Sequence, residues 1–244
     1  MVPYMNYKKL AVNIWTILFM ITRYNMKIIF ANKFIFFNIA ALGVFVFVTI
    51  MNLINPNSDV TEGTVFGLLL VPGLLLIFYP TTFGIQNDVE NRMIEILFGI
   101  PNYRYKVWLV RLITIFIMVF LILLLLSFVS SIALTSVSVF EMTIQVMFPI
   151  LFFGSLAFML STIIGNGSGT AVVMIILGLG IWISQGFIGS TQWNVFLNPF
   201  VIPQNVNEIV WAEITTNNRV YISLGIIVFI LMGLLNLQKR ERFV

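Results

Sequence analysis

A cluster of charged side chains lies in residues 87–101, which read NDVENRMIEILFGIP. Asp88, Arg92 and Glu95 are three and four residues apart, so on a helix they share one face and form pairs of opposite charge. Pro101 ends such a helix, because it disfavours helical geometry in the preceding residue. The apolar residues share the other face by helical spacing: Val89, Met93, Ile96, Leu97 and Ile100. We therefore expect a short amphipathic helix parallel to a membrane surface. The alternative is a solvated loop with incidental charges.

Catalysis by this chain is not expected. The sequence contains neither histidine nor cysteine, which removes the usual general base, the usual nucleophilic pairs and the commonest metal ligands. No phosphate-binding G-x-x-x-x-G-K-[ST] loop occurs; the glycine-rich stretch 165–170 has no lysine and is predicted to be a tight turn. We expect no catalytic residue, no metal site and no cofactor in this chain.

The composition places these residues in a membrane protein. Of 244 residues, 60% are hydrophobic and 9% are charged, and the mean hydropathy is +1.04. Soluble domains carry about 25% charged residues. A chain with so few cannot cover a water-exposed surface, so the predicted fold class is an all-α integral membrane protein, and nucleic acid is not an expected partner.

Six apolar runs are about long enough to cross a ~30 Å hydrocarbon core, which needs about 20 residues. Each is predicted to be a transmembrane helix, and residues 34–237 form the transmembrane domain. The predicted spans are Phe34–Leu53, Thr64–Ile85, Leu112–Leu134, Ile144–Ile164, Thr170–Ile188 and Val220–Leu237.

The basic residues predict the orientation of these spans. Lys and Arg concentrate in cytoplasmic segments. With six spans, twelve of the 13 basic residues lie on one side and only Arg219 lies in a loop on the other. Both termini are therefore predicted to be cytoplasmic, with residues 238–244 as a basic tail. The Ile-, Phe- and Asn-rich composition is associated with AT-rich bacterial genomes, so we expect a bacterial cytoplasmic membrane.

Residues 1–33 are predicted to form a cytoplasmic N-terminus with an interfacial amphipathic helix. A polar stripe recurs at helical spacing against a Trp-, Leu- and Ile-rich face, which is typical of a helix in the headgroup plane. Its members are Lys9, Asn13, Thr16, Arg23 and Lys27. No small-x-small cleavage site follows the apolar stretch 14–21, so a cleaved signal peptide is not expected.

The predicted spans contain almost no ionisable side chains, which argues against a proton-coupled transporter. Asn38, Gln145 and Gln185 are the polar side chains within them that are candidates for lining a translocation path. Interhelical hydrogen bonding is the favoured interpretation of these amides, and substrate contact is the alternative.

In layout and in one motif the chain resembles the permease subunits of ABC-2 type ATP-binding-cassette exporters. Their motif reads acidic-x-acidic-x-G-T-x-E-x-L-L-x-x-P, followed by a basic residue before the third span. Here Arg92 and Met93 replace the Gly-Thr pair, and Lys106 or Arg111 would be the basic residue. The matching positions are Asp88, Glu90, Glu95, Leu97, Phe98 and Pro101.

The resemblance implies half of an exporter. Two permeases, as a homodimer or a heterodimer in membrane lipid, would line the path, and separate ATPase subunits would bind ATP and Mg²⁺. The residues implied in coupling to that ATPase are Asp88, Glu90, Arg92, Glu95, Leu97, Phe98 and Pro101. An amphipathic peptide, a lipid or a hydrophobic drug would suit the apolar spans as substrate.

Two other functions stay open on the sequence. One is an ATP-independent channel or secondary carrier, which charges inside the membrane would favour. The other is a membrane anchor or sensory partner without transport. Association with an ATPase separates the exporter from both.

Overall fold

A computed structural model describes residues 34–55, 60–90 and 104–237 of the chain. The described residues are helical with connecting loops, contain no strand, and include six helices long and apolar enough to cross a membrane. The predicted N-terminal helix, most of the amphipathic segment and the C-terminal tail lie outside these residues. The helices are α1 (Phe34–Ile54), α2 (Glu62–Glu90), α3 (Val110–Ala133), α4 (Val139–Ile164), α5 (Gly167–Ile188) and α6 (Glu208–Asn236).

The six predicted spans are confirmed as six long apolar helices, and three of them extend five or more residues beyond the prediction. One of these is α4, which begins at Val139 and not at Ile144. α2 continues to Glu90, five residues beyond the predicted end of the second span, so Asp88 and Glu90 lie in its last turn. A six-residue π-helix, Arg104–Leu109, leads into α3.

The largest difference concerns α6, which begins at Glu208 and not at the predicted Val220. Asn207 caps the helix: its side-chain oxygen accepts a hydrogen bond from the backbone N–H of Ile209 at 3.3 Å. Helical spacing then places Trp211, Asn218 and Ile222 on the buried face. The prediction that Arg219 lies in a loop is therefore wrong: the residue lies in the fourth turn of the helix.

The helix ends meet in two groups. At one end, Asn198 of the α5–α6 loop donates from Nδ2 to the carbonyl of Gly63 at the start of α2, at 3.0 Å. At the other end, the backbone N–H of Gly167 in the α4–α5 turn donates to Gln86 Oε1 near the end of α2, at 2.6 Å. We name the first the outer end and the second the inner end, after the predicted orientation.

The α4–α5 turn has the tight form expected for residues 165–170. Gly165 ends α4 with φ 69°, in the left-handed region that glycine adopts without a Cβ clash. Asn166 caps α5 by accepting a hydrogen bond from the N–H of Gly169 at 3.1 Å. The glycines of this stretch thus reverse the chain.

Cysteine labelling tests the predicted orientation. Thr191 is exposed at the outer end and Ser168 at the inner end, and the native chain has no cysteine to interfere. In intact cells, a membrane-impermeant maleimide should label Thr191→Cys and should reach Ser168→Cys only after permeabilisation. The reverse pattern would invert the predicted topology.

The core of the bundle is formed by α2 and α4, which pack through two reciprocal contacts. Gly73 of α2 lies against Ile150 of α4, and Gly154 of α4 lies against Ile77 of α2. Both isoleucines are at most 1% exposed. A small residue opposite a large one lets two helix backbones approach closely, which is the usual basis of helix packing within a membrane.

A side chain at Gly154 should therefore separate α2 from α4. A Cβ there would lie 2.7 Å from Ile77 Cγ1 and would overlap Cδ1. Gly154→Val should destabilise the fold by about 1–3 kcal/mol, the usual cost of overpacking, measured as earlier loss of the monodisperse species on heating in detergent. Gly43→Val is the control, because nothing lies within 4 Å of that Cβ. The double variant Gly154→Val with Ile77→Ala should regain part of the lost stability, because the smaller side chain makes room for the valine. A Gly154→Val chain as stable as the native one would contradict this packing.

α5 and much of α1 present apolar side chains outward. Phe187 is 88% exposed, and Trp182 and Phe36 are also exposed. In water such surfaces would be unfavourable, whereas hydrocarbon solvates them. These faces are suited to contact with lipid or with another membrane-embedded chain.

The α5–α6 loop folds over the outer end of the bundle and buries apolar side chains there. Leu197 is 1% exposed, and Phe196 stacks on Phe153 of α4 with ring centroids 5.2 Å apart. Trp211 is also buried and donates from Nε1 to the carbonyl of Pro199 at 3.1 Å. Trp193 stacks on Tyr221 at 4.6 Å and is largely exposed, which suits an interfacial position.

Candidate functional site: a cavity and a buried arginine

The helices α2, α4 and α5, with the α5–α6 loop, line a half-open cavity of about 550 Å³. We call it the α2–α5 cavity. Its volume lies in the range typical of small-molecule sites. Its wall is almost entirely apolar and includes Leu70, Leu74, Phe78, Phe153, Met174 and Trp182. The cavity can therefore accommodate an apolar or amphipathic molecule.

Two amides supply polar groups to this wall. Asn198 is already used in the fold, since it donates to Gly63 and its Oδ1 accepts from the N–H of Phe200 at 3.1 Å. The half-buried side chain of Gln185 makes no hydrogen bond to the described part of the chain. An amide without a partner in an apolar wall is available to a bound molecule, so Gln185 is the stronger candidate for contact with one.

A second polar centre lies on the opposite side of α4, around Arg219. This residue is 8% exposed. Its Nε donates to Gln145 Oε1 at 2.8 Å, its Nη1 to Asn218 Oδ1 at 2.8 Å and its Nη2 to the carbonyl of Leu197 at 3.2 Å. The guanidinium also lies over the ring of Phe148, with Cζ 5.1 Å from the centroid. Every one of these partners is electrically neutral.

Asn218 joins the arginine to the loop above it. This side chain is fully buried, and its Nδ2 donates to the carbonyls of Gln192 and Asn194 at 2.9 and 2.8 Å. Its Oδ1 accepts from Arg219. One amide thus holds two loop carbonyls and the cation together, and the loop is fixed to α6 through it.

The structure does not bring the three predicted path residues together. Gln185 lines the α2–α5 cavity, whereas Gln145 lies in the groove between α4 and α6 and binds Arg219. Asn38 is half-buried on α1, next to Phe37, which stacks on Tyr79 of α2 at 4.9 Å. Gln145 makes an interhelical hydrogen bond, since its partner Arg219 belongs to α6.

The predicted coupling residues are only partly within the described structure. Asp88 and Glu90 belong to the last turn of α2. Arg92, Glu95, Leu97, Phe98 and Pro101 lie outside the described residues.

Sequence reasoning missed Arg219 and Asn218 as parts of a site. The signal that could have found them is the helix start at Asn207, a capping residue followed by the acidic Glu208 in the first turn. A helix extended from this point places Trp211, Asn218 and Ile222 on one face.

Within the described ranges, no group of three or more acidic, His or Cys side chains is arranged to hold a metal ion. The candidate site among these residues consists of neutral amides, one guanidinium and an apolar cavity. No protein-family model, curated protein or solved structure matches the chain.

Proposed function

We propose that this chain is the permease subunit of an ABC-2 type exporter, driven by a separate ATPase. One structural observation supports the proposal in addition to the sequence motif. α2 holds the first motif positions, Asp88 and Glu90, in its last turn and also forms one wall of the α2–α5 cavity. A force applied to the segment 88–101 would thus act on a helix that lines the cavity.

The internal construction of α2 supports such a mechanism. Pro72 and Pro80 lie inside the helix. A proline lacks the N–H that would bond the carbonyl four residues earlier, so the helix bends more easily at these points. In the proposed cycle, closure of the ATPase dimer moves the inner end of α2, and the helix tilts or bends to reshape the cavity.

The α2–α5 cavity would be this chain's half of the translocation path. α5 buries few of its residues within the chain, so its exposed face is available to a second permease copy. The apolar wall, with one amide, Gln185, that has no hydrogen-bond partner among the described residues, favours a mostly apolar substrate such as an amphipathic peptide, a lipid or a hydrophobic drug.

A second candidate function is an ATP-independent carrier. Arg219 favours it, since a buried ionisable side chain at the outer boundary of a spanning helix could bind an ion or a charged substrate as it enters a path. The two candidates differ in whether the segment 88–101 contacts an ATPase.

Site-specific photocrosslinking in native membranes tests the proposal. A photoreactive residue at position 98 should form an adduct with a protein that carries a G-x-x-x-x-G-K-[ST] loop. The same residue at Thr191, exposed at the outer end, should not. If positions 97 and 98 crosslink only to lipid while the cells export normally, the exporter proposal is overturned and the carrier is favoured.

A further inference from the structure

A groove of about 550 Å³ runs between α4 and α6 on the side of α4 away from the α2–α5 cavity. We call it the α4–α6 groove. Its lining changes from polar to apolar along α6. Thr216 and Arg219 lie toward the outer end with Gln145, and Leu224 and Ile227 follow toward the inner end with Phe148 beside them. The groove is therefore amphipathic along its length.

The charge of Arg219 is not neutralised by the described part of the chain. Its three hydrogen-bond acceptors are two amide oxygens and one backbone carbonyl. A guanidinium has five N–H groups, so two remain without an acceptor among the described residues. An unpaired charge removed from water is costly, and an anion in the groove would supply both the missing charge and the missing acceptors.

The position of Arg219 along α6 indicates where that anion would lie. The stretch from Val220 to Asn236 has 17 residues, or about 26 Å at 1.5 Å per residue, close to the ~30 Å thickness of the hydrocarbon core. Arg219 thus lies at the outer boundary of the apolar layer. The exposed Trp193–Tyr221 stack is at the same level of α6, and such aromatic side chains collect at the headgroup level.

We infer that the α4–α6 groove binds an anionic phospholipid of the leaflet at the outer end. The lipid phosphate accepts hydrogen bonds from the guanidinium of Arg219. One acyl chain lies along Phe148, Leu224 and Ile227. The order of polar and apolar side chains in the groove matches the order of headgroup and chain in the lipid. This inference is independent of coupling to an ATPase.

Lipid titration of the purified full-length chain, followed by native mass spectrometry, tests the inference. Phosphatidylglycerol should bind about tenfold more tightly than phosphatidylcholine with the same acyl chains. Both lipids carry a phosphate, but the choline ammonium of phosphatidylcholine cancels its charge and repels the guanidinium, whereas phosphatidylglycerol keeps a net negative charge. Arg219→Gln should abolish this preference.

A second pair of variants leaves the arginine network intact, in case Arg219→Gln fails to fold. Leu224 lines the groove and Leu231 does not, and both are about half exposed on α6. Leu224→Trp should fill the acyl part of the groove and weaken phosphatidylglycerol binding, and Leu231→Trp should leave it unchanged.

Three results would overturn the inference. The first is equal affinity for the two lipids, and the second is an unchanged phosphatidylglycerol affinity in Leu224→Trp. The third is thermal stabilisation by inorganic phosphate alone that equals stabilisation by phosphatidylglycerol at the same concentration, which would indicate a free-anion site.

Discussion

Replacing Asn218 by leucine is expected to detach the α5–α6 loop from the bundle and to destabilise the whole chain. The substitution removes two hydrogen bonds to loop carbonyls and one acceptor from the buried Arg219. A hydrogen bond to a charged group contributes about 1.5–3 kcal/mol, and each buried group left without a partner costs about 1–3 kcal/mol. We expect a loss of roughly 3 kcal/mol or more, measured as a lower midpoint of thermal unfolding in detergent.

The neighbouring residue offers a matched control. Asn217 is half-buried, and its side chain makes no hydrogen bond to the described residues. Asn217→Leu should leave the midpoint within about 2 °C of the native value, since surface substitutions away from such networks usually change stability by less than 0.5 kcal/mol. Equal midpoints for both variants would show that the Asn218 network does not stabilise the outer end.

The second large effect is expected at Glu95, in the segment that we propose to contact the ATPase. On the predicted helix Glu95 lies on the polar face, and the proposal places it in a basic or amide-rich pocket of the partner. Glu95→Lys would replace a charge-assisted hydrogen bond by repulsion, at about 2–5 kcal/mol if the contact is desolvated. Recovery of the ATPase with a tagged chain, and export, should both fall steeply.

Abundance in the membrane should hardly change in Glu95→Lys, because the residue lies outside the predicted spans. Glu213→Lys is the matched control, since it reverses the charge of an exposed glutamate on α6 toward the outer end. Leu97→Asp tests the apolar face of the same helix. If Glu95→Lys and Leu97→Asp both leave complex formation and export intact, the segment is an ordinary loop.

The number and approximate place of the helices could be predicted because membrane spans depend on local composition. A run of about 20 apolar residues is sufficient, and all six runs correspond to long helices. The turn at residues 165–170 could also be predicted, since the glycines and the capping asparagine within that stretch determine its conformation. The extent of α6 was not predictable in this way, because hydropathy ends a span at its first polar residues and Arg219 is one of them.

The site depends on contacts between residues far apart in the chain. Arg219 bonds to Gln145, 74 positions away, and to Leu197 in the loop. Composition shows that Gln145 is a polar residue within a predicted span but not which residue pairs with it. The α2–α5 cavity likewise results from how loosely α5 packs on α2 and α4, which no periodicity in α5 reveals. For this reason Asn38, Gln145 and Gln185 are assigned to one translocation path from sequence alone, although the three residues lie in separate places.

The most direct test of the central claim is ATP hydrolysis by the assembly recovered from native membranes through a tag on this chain, after mild solubilisation. We predict that the recovered assembly contains a second protein with a phosphate-binding loop and hydrolyses ATP. When the tagged chain carries Glu95→Lys, this ATP hydrolysis should disappear from the recovered material. The native chain expressed and purified alone should hydrolyse no ATP above background, since it has no phosphate-binding loop of its own. An assembly that exports substrate without any associated ATPase would contradict the proposal, and so would hydrolysis that persists with the isolated chain through rigorous purification.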